Sequence, residues 1–139
     1  ANGTVFDGDL EELQPDDLRA RFESSAERAA APGATDEAIT PLIEWVQRYA
    51  YPRALFGPAQ VAEVLLHHMP GAKRDADVHE HDALMATVEP TLSAVRAWAR
   101  FCGTLANLDE VVMSDVLSAI DHYAPMHEQA LLDIVATGA

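Results

Sequence analysis

A stretch of this chain, PTLSAVRAWARFCGTL from Pro90 to Leu105, constrains the fold more than any other. At about 100° per residue, Leu92, Val95, Trp98, Ala99, Phe101, Cys102 and Leu105 share one half of a helical wheel. Ser93, Arg96, Arg100, Gly103 and Thr104 fill a narrow opposite sector. An apolar face this broad demands neighbours on more than one side. Pro90 suits a first helical position, where its missing N–H costs nothing, and Gly103 with Asn107 marks the far end.

The flanking sequence supplies the neighbours. Pro15 to about Ala31 carries a thin stripe, Leu18, Phe22, Ala26 and Ala29, on a mostly polar helix that should dock peripherally before Pro32-Gly33 breaks it. Thr35 can cap a helix bearing Ile39, Leu42, Ile43, Val46 and Ala50, with Pro41 either starting or kinking it and Tyr51-Pro52 ending it. Gly57-Pro58 opens another, with Val61, Val64, Leu65 and His68 inward, and Pro70-Gly71 should stop it ahead of a mobile loop, GAKRDAD. Asp77 and Glu80 have capping-box spacing before a short helix with Leu84, Met85 and Val88. After the link Ala106-Asn107-Leu108, a helix from Asp109 to Tyr123 should bury Leu108, Val112, Met113, Val116, Leu117 and Ile120. Pro125 should start a last helix carrying Leu131, Ile134 and Val135. With alanine abundant, β-branched residues sparse and no period-2 segment of useful length, the expected fold is all-α, an irregular bundle of six to seven short helices over residues 15–139. Residues 1–14, ANGTVFDGDLEELQ, read as a flexible acidic arm.

Composition then narrows the function. The 139 residues suit one domain that buries a core without staples. A net charge of −14 opposes nucleic acid and anionic membranes and leaves basic or neutral partners. The pair of helices around Ala106–Leu108 has helix-turn-helix spacing, but DEVVMSDVLSAIDH carries four acids and no Lys or Arg, so phosphates would repel it. No apolar run approaches the ~20 residues of a membrane span, and the N-terminus lacks the charged and apolar regions of a signal peptide. One cysteine, Cys102, rules out an internal disulfide and fits a reducing cytoplasm.

Candidate sites are few. His79-Glu80-His81-Asp82 gathers potential metal ligands, with His67-His68 upstream and His122 and His127 downstream. Zinc needs three or four converging donors, and Ala83 stands where an HExxH helix would place its second histidine. His79, His81 and Asp82 are therefore the candidate ligands of an alternative, metal-binding or metal-dependent reading. Cys102, on the apolar stripe, reads as a small inert hydrophobe. No nucleophile elbow, phosphate loop or dinucleotide fingerprint occurs. Tyr49, Tyr51 and Phe56 flank a proline turn beside Arg53, and these four residues are the candidate partner-binding surface.

The succession YAYPRALFGPAQVAEVLLHHMPG, VEPTLSAVRAWARFCG and LDEVVMSDVLSAIDHYAP, over about residues 49–124, resembles an uncharacterised all-helical domain family of high-GC bacteria. Val95–Phe101 fits its Leu-Arg-Ala-Trp-type helix, while His68-Met69 departs from the residues expected before Pro70. The resemblance implies an all-α accessory segment, often part of a longer polypeptide, and names no substrate. The expectation is a non-catalytic interaction or regulatory module, cytoplasmic, without cofactor, that binds a protein partner or a second copy of itself.

Overall fold

The computed structural model describes residues 15–49 and 56–138; the expected acidic arm, Tyr51 and Arg53 lie outside them. The fold is all-α, and no strand occurs among the described residues. In chain order the elements are α1 (Pro15–Glu23), α2 (Ala26–Ala29), α3 (Asp36–Tyr49) and α4 (Pro58–Glu63). A π-helical segment (Val64–His68) follows, then α5 (Met69–Asp75), α6 (His81–Met85), α7 (Val88–Leu105) and α8 (Glu110–Gly138).

Helix α7 is the organising element. Eleven of its residues are buried, including every member of the broad face, so it is walled in by α2 and α3 on one side and α8 on another. It starts two residues before Pro90, which sits in its first turn and so gives up no helical bond. It ends at Asn107, whose φ of 53° is the left-handed conformation asparagine tolerates. Leu108 N–H then returns to the Gly103 carbonyl (2.9 Å) and Asn107 N–H to Thr104 (3.2 Å), a Schellman closure.

Helix α1 does not dock peripherally. Leu18 and Phe22 are fully buried, and the Phe22 ring stands edge-on to Trp98 (5.2 Å) and Phe101 (5.4 Å). A thin stripe suffices because two large side chains one turn apart reach the centre. The expected single helix also breaks at Ser24-Ser25. Ser25 caps α2 by accepting the Arg28 N–H (3.1 Å), and its hydroxyl donates to the Phe22 carbonyl (2.6 Å).

Prolines end fewer helices than expected. Thr35 caps α3, as its hydroxyl accepts the Ala38 N–H (3.3 Å), and α3 then runs straight through Pro41. Pro125 lies inside the 29-residue α8, a single helix where two were expected. Each proline removes the α-register donor to the carbonyl four residues earlier, at Glu37 and Asp121, and both of those residues are exposed. Nor does Pro70-Gly71 stop its helix: the chain stays helical from Pro58 to Asp75, by way of the π segment. The expected mobile loop is thus largely α5. Asp77 belongs to the end of α5, with φ 58° and the Val78 N–H returning to Lys73 (2.9 Å), so it does not cap α6. Glu80 holds the N-cap position of α6 without a side-chain bond.

Helix α8 joins the parts. Val116 and Ile120 enter the main core with α7, while Leu131 and Ile134 close a second, smaller cluster with Leu84 of α6. Between the two, α8 packs along α4, the π segment and α5.

Candidate functional site

Of the four residues expected to form a partner surface around the proline turn, Tyr49 and Phe56 fall among the described residues. Tyr49 is exposed at the end of α3, with its ring edge-on to His68 (6.4 Å). Phe56 is instead core: it is 4% exposed and stands edge-on to Trp45 (6.0 Å). It directly precedes Gly57, the N-cap of α4, and shares the core with Val61 in the first turns of that helix. That is the position from which an apolar side chain folds back onto a helix start.

The histidine cluster does not converge. His79 Nδ1 lies 3.2 Å from the Asp77 carbonyl, His81 Nδ1 lies 3.1 Å from the Asp82 carboxylate, and all three candidate ligands are exposed. Because α6 begins at His81, His79 sits in the preceding turn and turns back on its own neighbour. Among the described residues no three His, Cys, Asp or Glu side chains are placed to hold a metal ion.

Open concavities occur elsewhere among the described residues, and two of them concern function. One, about 720 Å³, lies between α3 and the π segment with α5, where Glu44, Arg48 and Tyr49 face Glu63, His67, His68 and Asp75. His68 is anchored there by donating from Nε2 to the Pro41 carbonyl (2.7 Å). The consecutive His67 and His68 both line this cleft.

The other concavity, about 670 Å³, is formed where α7 turns into α8. Gly103, Leu108, Met113 and Leu117 give it an apolar floor, and Glu27, Arg100, Glu110 and Asp121 stand around it. A Cβ at Gly103 would come 2.6 Å from the Met113 Cε, so the end of that flexible side chain would have to move aside. Leu108, which lines the groove, is 40% exposed; Val111 and Val112, in the first turn of α8 but outside that lining, are 72% and 41% exposed. Sequence periodicity assigned Leu108 and Val112 to the buried face. Val112 does lie one turn before buried Val116 on the same stripe, but the stripe continues past the last residue that α7 covers. Pattern shows which face is apolar; only the end of α7 shows where cover stops.

The remaining reactive groups are sealed. Burial pushes the Cys102 thiol well above its ordinary range, so it stays protonated and unreactive. His127 is 1% exposed; its Nδ1 is 2.7 Å from the Leu65 carbonyl, and its Nε2 is buried with no partner. Burial lowers the His127 pKa, partly offset by the Leu65 bond; Lys73 lowers it further and Glu128 raises it. No described helix is long and apolar enough to cross a membrane. No family model matches the chain, and neither does any curated protein or solved structure.

Proposed function

We propose that this protein is a non-catalytic, cytoplasmic interaction module that receives an amphipathic, basic helical segment of a protein partner in the groove between α7 and α8. The observation that carries the reading is the apolar floor that Gly103, Leu108, Met113 and Leu117 give this groove, with Leu108 40% exposed at its end. Contiguous apolar surface of this kind marks interaction sites, and a groove along helices suits a helix with anchors at i and i+4. Charge selects the occupant. Glu27 and Glu110 outnumber Arg100 around the groove, where Asp121 is paired with Arg96 (3.1 Å). A second copy would bring the same carboxylates against these, and residues 1–14 carry four acids and no base, so both are disfavoured relative to a basic segment.

Selection from a displayed library of helical peptides tests this. Binders should pair apolar anchors with Lys or Arg, weaken with salt, and lose at least tenfold in affinity to the Leu108→Asp protein, whose changed side chain lines the groove. Binders indifferent to that change would refute the groove. A concentration-dependent dimer abolished by the same substitution would give the surface to a second copy instead.

A further inference from the structure

Three prolines stand inside helices, and one of them creates a problem that water does not solve. Beyond Pro41 and Pro125, whose freed carbonyls belong to exposed residues, Pro70 follows the π segment. The Leu65 carbonyl could be served in α register by the Met69 N–H or in π register by the Pro70 nitrogen. Met69 is committed to Val64, five residues back, and Pro70 has no N–H. Leu65 is fully buried, so its carbonyl requires a donor from elsewhere in the fold. That donor is His127 Nδ1 at 2.7 Å, sixty-two residues away on α8.

A carbonyl only accepts, so Nδ1 must carry the hydrogen. The second ring nitrogen, Nε2, is buried without a partner. It is tolerable as a bare lone pair, and it is the only place a further proton can go. Protonation would leave a buried N–H with no acceptor and a positive charge in an apolar interior. The charged groups acting on the ring are Lys73 from α5, which opposes that charge, and Glu128 beside it on α8, which favours it. Among the described residues no charge on α4 or α6 acts on it; α6 brings Leu84 to the neighbouring apolar cluster, and His67 and His68 of the π segment line the opposite cleft.

We propose that His127 is a proton-operated latch. As the neutral Nδ1–H tautomer it fastens α8 to the π segment, and addition of a proton at Nε2 releases the C-terminal half of α8 from α4, the π segment and α5. The folded state favours the neutral ring, so the latch is fully closed above the unfolded-state value near 6.5 and loosens as pH falls below it. One proton taken up on opening limits the effect to about tenfold in the opening equilibrium per pH unit.

Hydrogen exchange of the full chain between pH 7.5 and 5, corrected for intrinsic rates, reads this directly. Amides of α4, the π segment, α5 and the end of α8 should open up to about tenfold more per unit below pH 6.5, with α7 amides unaffected. His127→Asn keeps a donor near the Nδ1 position and cannot titrate, so it should flatten that dependence. His127→Leu should open the same amides at every pH. Adding Pro70→Ala, which restores an N–H five residues after Leu65, should reverse much of that loss. Should either histidine variant fail to fold, the ¹⁵N shifts of the wild-type ring decide: a neutral Nδ1–H tautomer at pH 7 that titrates below 6.5 supports the latch. An Nε2–H tautomer, a charged ring at pH 7, or wild-type pH dependence in His127→Asn would overturn it.

Discussion

Phe22→Ala is the most informative single change to the core, because α1 reads from sequence as a peripheral helix. Phe22 has no exposed surface and meets both Trp98 and Phe101 edge-on at 5.2 and 5.4 Å. Truncating a buried Phe to Ala typically costs 3–5 kcal/mol, as lost transfer energy plus the cavity left behind. The two edge-to-face pairs, each worth about 0.5–1.5 kcal/mol beyond area, place this site near the upper end, about 4–5 kcal/mol. Against a total stability of about 5–15 kcal/mol, that is about a quarter or more. At roughly 3 °C per kcal/mol for a domain of this size, the midpoint should fall by about 12–15 °C. Urea denaturation followed by far-ultraviolet circular dichroism and tryptophan fluorescence measures it, with the exposed Arg21→Ala as a control expected within about 0.5 kcal/mol of wild type. A loss below about 1 kcal/mol for Phe22→Ala would refute the placement of α1 in the core.

Two further changes probe the backbone. Gly71 lies inside α5, and a Cβ there would meet nothing within 4 Å, so Gly71→Ala should stabilise by about 0.5–1 kcal/mol in denaturation. Destabilisation would mean that α5 is not a regular helix there. Asn107 closes α7 at a positive φ, so Asn107→Ala should cost about 1–2 kcal/mol and Asn107→Gly much less; equal effects of the two would disprove the left-handed cap.

Local and periodic signals determined a good deal of this protein without any structure. The apolar half-wheel of α7 needs only the spacing of Leu92, Val95, Trp98, Ala99, Phe101, Cys102 and Leu105, and every one of them is buried. Thr35, Asn107 and the Gly57-Pro58 start are legible for the same reason, since each acts on its own few residues of backbone.

Tertiary structure decided whatever depends on a partner distant in sequence. Whether a proline ends a helix turns on who serves the carbonyl it orphans. At Pro41 and Pro125 that carbonyl belongs to an exposed residue, but at the π segment a histidine sixty-two residues on serves it, and no local pattern reveals that donor. Burial of a stripe likewise depends on how far the neighbouring helix extends. Phe22 reached the centre from a polar helix, Phe56 folded into the core from a turn, and Leu108 and Val112 stayed exposed where α7 ran out. The histidine motif His79–Asp82 failed for the complementary reason. Closeness in sequence brought those side chains to one another's backbone and nearest carboxylates, whereas a metal site needs donors that the fold must aim at one point.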